Sequence, residues 1–284
     1  MKHGLALEGG AMRGMFSCGV MDVLMENRIV FDAAAGISAG AVFGCNYKSK
    51  QPGRALRYNK KYGKDPRYCS LRNLFKTGDL YGTEFCYHIL PNELDIFDRA
   101  TFSLNPMEFY IGATNIETGR IEYYKCTNGG KKDLLWMRAS ASMPMVSRPV
   151  EISGKKYLDG GITDPIPYRV LDQLGYHKNV VILTQPKGYR KKKSKALFLM
   201  KILLRKYPKA VQAMEKRHMI YNAQADEIER LEKEGKIYVI RPPKALGIKR
   251  TEGNPQKLEK VYKMGRAEAK KHVKQIKRFL KEKE

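Results

Sequence analysis

The sequence Leu5-Ala6-Leu7-Glu8-Gly9-Gly10-Ala11-Met12-Arg13-Gly14 joins a short apolar run to a glycine-rich turn. Apolar residues then recur at helical spacing over residues 15–28, which predicts a helix directly after the turn. The same order returns at once, because an apolar run ends at Gly36 and a stretch rich in alanine, valine and phenylalanine follows over residues 38–47. Two successive strand–turn–helix units predict parallel strands with crossover helices, and therefore an α/β fold.

The rest of the chain supplies further strands and helices for such a fold. Residues 109–114 and 121–124 have the pattern of two strands, and the turn Glu117-Thr118-Gly119 between them predicts a hairpin at one side of the sheet. The remaining predicted strands are residues 156–158, 180–183 and 237–240. The remaining predicted helices are residues 132–141 and the lysine-rich residues 256–284, while residues 48–80 are predicted to form a loop with short helices.

Positive charge is concentrated in the last third of the 284 residues, whose formal net charge is +25. Residues 187–284 contain 30 Lys/Arg and 11 Asp/Glu, a net of +19, whereas residues 1–186 contain 24 and 18, a net of +6. We predict a globular domain over residues 1–245 and a basic helical C-terminal extension over residues 246–284, packed on that domain or continuous with it. Such a charge attracts polyanions, either an anionic lipid surface or nucleic acid.

The cysteines and the N-terminal residues favour a cytoplasmic protein. Five cysteines are an odd number, and they form no Cys-x-x-Cys pair, which argues against a disulfide framework and a zinc site. Residues 1–10 lack the apolar stretch and cleavage site of a signal peptide. No run approaches the roughly 18 consecutive apolar residues of a membrane span. We expect no metal and no cofactor.

The pentapeptide Gly36-Ile37-Ser38-Ala39-Gly40 is a Gly-x-Ser-x-Gly motif at a predicted strand-to-helix turn. A serine there sits on a tight turn that lifts its hydroxyl above the sheet edge. Gly36 and Gly40 keep side chains out of the place where strand and helix approach closely, and the helix N-terminus beginning at Ala39 adds N–H groups near a developing anion. The alternative is a glycine-rich turn whose serine caps the helix. The context before and after the motif favours a nucleophile elbow.

The turn at residues 9–14 is a candidate oxyanion hole. A hydrolase needs backbone N–H donors aimed at its tetrahedral oxyanion, and small residues such as Gly9, Gly10 and Ala11 let the backbone approach a carbonyl. The turn is not a nucleotide-binding loop, because Gly14 is followed by Met-Phe rather than Lys-Ser/Thr and the glycine spacing does not match Gly-x-Gly-x-x-Gly. Arg13 either orients the loop, contacts a phosphate or has a structural role.

A serine nucleophile needs a base, which a histidine, a lysine or a carboxylate can supply. None of the five histidines stands beside a glycine turn or at a strand end. Asp159 follows a predicted strand and precedes Gly160 and Gly161, which permit close approach of another backbone. It becomes an effective base only if a dry pocket raises its pKa and a hydrogen bond holds it against Ser38. By itself, Asp-Gly-Gly more often marks an ordinary turn.

The three motifs, in this order and spacing, resemble the patatin-like phospholipase family. That family has a Gly-Gly-Gly-x-Arg/Lys-Gly loop, a Gly-x-Ser-x-Gly nucleophile motif and an Asp-Gly-Gly/Ala base motif, and it uses a Ser–Asp dyad without histidine. Residues 139–144 and 148–150 also resemble its segment before the aspartate. The resemblance spans residues 4–185 and implies a three-layer α/β/α patatin-like fold with a mainly parallel central sheet. It implies that Ser38 is the nucleophile, Asp159 the base, and that the oxyanion loop comprises Gly9, Gly10, Ala11, Arg13 and Gly14.

Ala11 departs from the family pattern, because the family usually has a third glycine there. Alanine still offers its N–H, but its methyl group penalises a left-handed backbone conformation. If this position requires a positive φ, the oxyanion hole is strained or less well formed.

The resemblance implies a carboxylic ester hydrolase that acts on lipids in the manner of a phospholipase A or a lysophospholipase. The basic C-terminal third then suits peripheral contact with an anionic membrane, and residues 197–204 are a lid, a membrane contact or a core helix. The competing hypothesis is a catalytically weak or inactive protein of the same fold that binds anionic lipid or nucleic acid through that third. We predict no specific nucleic acid as partner, since no recognition motif for one is present.

Overall fold

The computed structural model describes residues 2–281, which fold around one eight-stranded sheet. Its strands are β1 (His3–Leu7), β2 (Ala33–Ile37), β3 (Glu108–Asn115), β4 (Arg120–Lys125), β5 (Val150–Ile152), β6 (Lys155–Asp159), β7 (Lys178–Ile182) and β8 (Ile237–Ile240). The spatial order is β5-β6-β3-β2-β1-β7-β8, with β4 paired to β3 outside that path. Strands β3, β2, β1, β7 and β8 are parallel, whereas β4, β5 and β6 are antiparallel to their neighbours. The predicted α/β class and mainly parallel sheet are confirmed.

Helices cover both faces of this sheet. The α-helices of the described residues are α1 (Gly14–Glu26), α2 (Ala39–Lys48), α3 (Arg54–Tyr62), α4 (Leu71–Thr77), α5 (Arg99–Leu104), α6 (Lys131–Ala141), α7 (Tyr168–Gln173), α8 (Leu197–Leu203), α9 (Pro208–Lys233) and α10 (Pro255–Lys281). Along β7, Val180 and Ile182 belong to a core with α1, α2 and α10, while Val181 belongs to a second core with α7 and α9. Because successive side chains of a strand point to opposite faces, this alternation produces three layers. A π-helix over Phe85–Leu94 and the short strand β5 are features that the sequence analysis missed.

Helix α10 packs directly on α1. A Cβ added at Gly265 would lie 2.0 Å from the carbonyl oxygen of Phe16, so only glycine permits this backbone contact. The contact is completed at the surface by an ion pair of 2.7 Å between Arg266 and Glu26 and by a 2.6 Å hydrogen bond from Tyr262 to Asp22. The helix predicted for residues 256–284 is confirmed up to Lys281, and residues 282–284 lie outside the described residues. The division into residues 1–245 and 246–284 stays a prediction.

Strands β2 and β6 share one edge of β3. Since β4 pairs along the other edge, β2 and β6 follow each other end to end along the same side of β3. The register pairs Ile37 with Gly112 and Asp159 with Ala113, so the ends of the two strands meet at adjacent residues of β3. The chain therefore brings Ser38, the residue after β2, next to Asp159, the last residue of β6.

Candidate active site

Ser38 lies on a strained turn between β2 and α2. Its backbone angles are φ 54° and ψ −118°, a left-handed φ that costs a residue with a Cβ about 1–3 kcal/mol. The side chain is buried, with 8% of the residue exposed. Helix α2 begins at the next residue, Ala39, so its positive dipole end is adjacent to the hydroxyl. This strained strand-to-helix turn lies where the sequence analysis places a nucleophile elbow over residues 36–40, and that role stays a prediction.

The two glycines of the pentapeptide are required by close backbone contacts. A Cβ at Gly36 would lie 2.4 Å from the carbonyl oxygen of Gly40, and one at Gly40 would lie 2.3 Å from the carbonyl oxygen of Leu7. Neither backbone oxygen can move without shifting β1 or α2. The turn that presents Ser38 therefore depends on the absence of both side chains.

Ser140 fixes the backbone of this turn from the neighbouring helix α6. The N–H of Ser38 donates to the Ser140 hydroxyl at 2.9 Å, and that hydroxyl donates to the carbonyl oxygen of Gly112 at 2.6 Å. Ser140 is fully buried, so both bonds form away from water. The resemblance drew attention to residues 139–144, but this role of Ser140 was missed because nothing in the sequence pairs it with Ser38.

Asp159 is buried at the end of β6, next to Ser38. The N–H of Gly161 donates to its Oδ1 at 2.7 Å, and the Ser38 hydroxyl lies close enough to the carboxylate to lower its pKa. Its own N–H donates to the carbonyl oxygen of Ser142 at 2.8 Å. Burial raises the pKa of Asp159 above its ordinary value, and the nearby Arg217 guanidinium and the Ser38 hydroxyl partly oppose that rise. A carboxyl with a raised pKa is a better general base than an exposed one.

Two of the predicted oxyanion donors are available in the glycine-rich loop, and three are not. Among residues 2–281, no acceptor bonds to the N–H of Gly10 or Ala11. The Gly9 N–H donates to Pro165 at 3.3 Å, the Arg13 N–H to Gly10 at 3.1 Å, and the Gly14 N–H back into the loop. The backbone N–H groups of Gly9, Arg13 and Gly14 thus already have acceptors, and the assignment of the whole loop to an oxyanion hole stays a prediction. Gly9 instead permits close packing, since a Cβ there would lie 3.1 Å from Cβ of Ser38.

Ala11 has a positive φ of 48°. This is the conformation in which a Cβ is penalised, by roughly 1–2 kcal/mol for an L-residue. The departure from the family pattern at this position thus coincides with backbone strain in the loop that carries both free N–H groups.

A largely apolar cavity of about 380 Å³ adjoins both Ser38 and Ala11. This volume lies within the range of roughly 300–1,000 Å³ that is usual for small-molecule sites. The exposed residues Ser194 and Arg250 also line it, so the cavity reaches the surface near them. Its apolar lining residues include Val42, Phe43, Tyr58, Leu90, Leu134 and Met137. An extended hydrocarbon chain suits such a lining.

Among the described residues, no histidine lines this cavity. His177 pairs with Asp172 at 2.9 Å, and His272 bonds to Tyr238 and Glu268, so these two rings have partners away from Ser38. The titratable group that the fold places next to Ser38 is the carboxyl group of Asp159.

Glu8 is a second buried carboxyl group near the glycine-rich loop, and the sequence analysis missed it. Only 1% of the residue is exposed, and its two oxygens accept from the Thr184 N–H and from the Tyr221 hydroxyl. Burial raises its pKa, while Thr184 and the positive charge of Arg13 lower it. Its only sequence signal is an acidic residue between an apolar strand and a glycine turn.

Residues 5–172, more than half of the chain, match the family described as patatin-like phospholipase, and the chain belongs to that family. Residues 207–281 match a domain of unknown function, DUF6363. The uncharacterized protein YjjU of Escherichia coli is 30% identical over 190 residues, which cover 64% of this chain and 52% of YjjU. Lysophospholipase nte1 of Emericella nidulans is 29% identical over 179 residues, which cover 61% of this chain and 11% of that protein.

The chain therefore spans about half of the first of these relatives and a small part of the second. Among solved structures, VipD from Legionella pneumophila aligns over 96% of this chain and 67% of its own at a TM-score of 0.46 and 13% identity, which is too distant to carry an argument. At the level of the family, these similarities support a lipid acyl hydrolase. Within residues 2–281, no helix is both long and apolar enough to cross a membrane.

Proposed function

We propose that this protein cleaves carboxylic ester bonds of lipids, with Ser38 as the nucleophile and Asp159 as the base. One observation carries the proposal: a serine on a strained strand-to-helix turn adjoins a buried aspartate beside an apolar cavity. Asp159 accepts the Ser38 proton as Oγ attacks the ester carbonyl carbon. The resulting oxyanion accepts hydrogen bonds from the N–H groups of Gly10 and Ala11.

The two half-reactions then use the same groups. Collapse of the tetrahedral intermediate breaks the ester C–O bond, and the departing alcohol oxygen takes the proton from Asp159. This leaves an acyl group on Ser38. Asp159 next accepts a proton from water, whose oxygen attacks the acyl carbonyl, and finally returns that proton to Ser38 as the fatty acid is released.

Site-directed variants test the dyad with matched controls. Ser38→Ala should abolish labelling by a fluorophosphonate and lower fatty-acid release from lysophospholipid by at least about 10³-fold. Asp159→Asn should lower turnover by a similar factor while circular dichroism stays native. The controls are Ser103→Ala and Asp172→Asn, which alter an exposed serine and an exposed aspartate. Labelling or turnover that persists in Ser38→Ala would refute the nucleophile and favour a binding protein with the same fold.

We also propose that the protein meets its substrate at an anionic membrane surface. The inner face of α8 packs into the fold through Leu197 and Met200, and Met200 lines the cavity. Its outer face leaves Phe198 76% and Ile202 49% exposed. The preceding cluster over residues 187–195 is rich in Lys and Arg, and cations near an anionic surface each contribute about 1 kcal/mol. The exposed apolar residues of α8 and the positive charge before it thus both favour contact with an anionic membrane surface.

Flotation with phosphatidylserine-containing and pure phosphatidylcholine vesicles tests this contact. The double variant Phe198→Ser/Ile202→Ser should bind the anionic vesicles less than the wild type does. Val30→Ser is the control, because Val30 is 72% exposed but precedes β2 at the opposite end of the strands. Equal binding of the wild type to both vesicle types would contradict the proposal. A cytoplasmic location remains our proposal as well, on the basis of five unpaired cysteines.

A further inference from the structure

Four cationic side chains converge beside Ser38 and Asp159. Each belongs to a different segment: Arg13 lies in the glycine-rich loop, Lys191 in the segment after β7, Arg217 on α9, and Arg250 before α10. Arg250 lines the same cavity as Ser38, and its carbonyl oxygen accepts from the N–H of Met12 in that loop at 3.4 Å. The Arg217 Nε donates to the carbonyl oxygen of Gly161 at 2.7 Å.

These cations are not paired with carboxylates. Within residues 2–281, no Asp or Glu oxygen lies within 4.0 Å of a side-chain nitrogen of any of the four. The Arg13 Nε is buried and has no hydrogen-bond partner. Lys191 contributes only a cation–π contact, with Nζ at 4.5 Å from the ring centroid of Tyr221. Arg13, Lys191 and Arg217 are partly buried, whereas Arg250 is exposed. Partly buried cations without hydrogen-bonding anions are costly, and such a cost persists where function requires it.

Glu8 and Asp159 attract these cations, but they are two carboxyl groups against four cations, and burial raises the pKa of both. Glu8 is bonded to Thr184 and Tyr221, and Asp159 is bonded to Gly161 and adjoins Ser38. Burial and then repulsion from Arg217 lower the pKa of Lys191 to about 7, which is the response of an ammonium group among other cations. The site therefore has an excess of positive charge directly beside the proposed nucleophile.

We infer that Arg13, Lys191, Arg217 and Arg250 form an anion subsite for the phosphate group of a phospholipid substrate. The inference rests on the proposed hydrolase function and specifies its substrate: an acyl ester with a phosphate close to the scissile bond. Guanidinium groups bind phosphate oxygens through paired, charge-assisted hydrogen bonds, and Arg13 has a buried donor free for one. The hydrocarbon chain occupies the apolar cavity, while the phosphate lies at the end where Arg250 is exposed.

The inference assigns a task to the C-terminal third. Lys191, Arg217 and Arg250 all lie outside residues 5–172, the part that matches the patatin-like phospholipase family. Two of them lie within residues 207–281, the part that matches DUF6363. The C-terminal segment thereby completes a head-group site on a catalytic domain that contributes only Arg13 to it.

Paired substrates test the subsite. We would compare kcat/KM for a lysophosphatidic acid and for a monoacylglycerol with the same acyl chain. The wild type should prefer the phosphorylated ester, and Lys191→Met and Arg250→Met should each lower the ratio of the two kcat/KM values by at least about tenfold, as expected for loss of one charge-assisted hydrogen bond. Lys191→Arg should restore much of the ratio. Lys192→Met, an exposed neighbour, is the control and should leave it unchanged.

Direct binding separates this inference from the hydrolase proposal. In the Ser38→Ala background, glycerol 3-phosphate and inorganic phosphate should each raise the Tm, and Arg250→Met should abolish both shifts. A shift with inorganic phosphate alone would indicate a site for free phosphate and would overturn the head-group assignment. Equal kcat/KM for the two esters in the wild type would also overturn it. If the wild type cleaves neither ester but glycerol 3-phosphate still binds, the hydrolase proposal fails and the anion subsite remains.

Discussion

Replacing Ala11 by glycine removes a Cβ from a residue whose φ is 48°. The left-handed conformation costs an L-residue about 1–2 kcal/mol, and glycine escapes that cost. Glycine also gains about 0.4–1 kcal/mol of conformational entropy in the unfolded chain, which opposes the benefit. We therefore expect Ala11→Gly to raise the unfolding free energy by about 0.5–1 kcal/mol, the difference between these two terms. For a chain of 284 residues, that corresponds to a Tm increase of about 1–3 °C.

The catalytic effect of the same change should be neutral or favourable. The N–H groups of Gly10 and Ala11 keep their positions, and a relaxed backbone aligns them at least as well with the oxyanion, so kcat should stay equal or rise a few-fold. Differential scanning calorimetry and fatty-acid release measure the two effects. Ser153→Gly is the control, because Ser153 has φ 51° in the exposed turn between β5 and β6 and should gain stability without changing kcat. A lower Tm or a tenfold lower kcat in Ala11→Gly would refute this account of the loop.

Three further changes test how the fold supports the site. Ser140→Ala removes the hydroxyl that bonds to the Ser38 N–H and to the Gly112 carbonyl oxygen, so Tm should fall and kcat should drop about tenfold or more. The control is Ser142→Ala, because the Ser142 hydroxyl bonds to the carbonyl oxygen of Arg138. It should change kcat less, and equal effects of the two variants would contradict the role of Ser140. Gly265→Ala places a Cβ 2.0 Å from a backbone oxygen of α1 and should lower the unfolding free energy, measured by urea denaturation, by about 1–3 kcal/mol. Lys270→Ala, on the exposed face of α10, is the control and should not lower it. An unchanged urea midpoint for Gly265→Ala would disprove that α10 needs this contact. Burial raises the pKa of Asp159, so kcat/KM for a neutral ester should rise with pH through that raised pKa, and an acid limb at the ordinary pKa would contradict a buried base. The contribution of Asp159 to stability is fully present below the ordinary pKa of 3.8 and is lost as pH rises through the raised value. The Tm advantage of Asp159→Asn over the wild type should therefore grow across that window.

The local motifs predicted from sequence correspond closely to the fold. The turn at Ser38 and the strands around it could be predicted because Gly36 and Gly40 are local requirements of strand-to-helix packing. Which N–H groups of the glycine-rich loop are free could not be predicted, since the Gly9 N–H is bonded to Pro165, more than a hundred residues away. No residue near Gly9 in the sequence indicates that its N–H has this hydrogen-bond partner.

The cationic cluster lies further beyond what the sequence predicts. Arg217 and Arg250 look like any other residues of a basic segment with 30 Lys/Arg, and only tertiary packing selects these two from the rest. Ser140 and Glu8 are similar, because their partners Gly112 and Tyr221 come from distant elements. Sequence patterns report periodicity and turn chemistry well, whereas contacts between remote segments follow from the whole fold.

The end-to-end placement of β2 and β6 along β3 makes the contact between Ser38 and Asp159, and with it the proposed catalysis, depend on strand register. A slip of β6 by one residue along β3 would move Asp159 by about 3.3 Å and turn its side chain to the other face of the sheet. No partly aligned sheet retains the contact with Ser38. During refolding, recovery of the proposed ester cleavage should therefore time the correct pairing of an antiparallel strand with a parallel sheet. Circular dichroism registers that event only as added strand content.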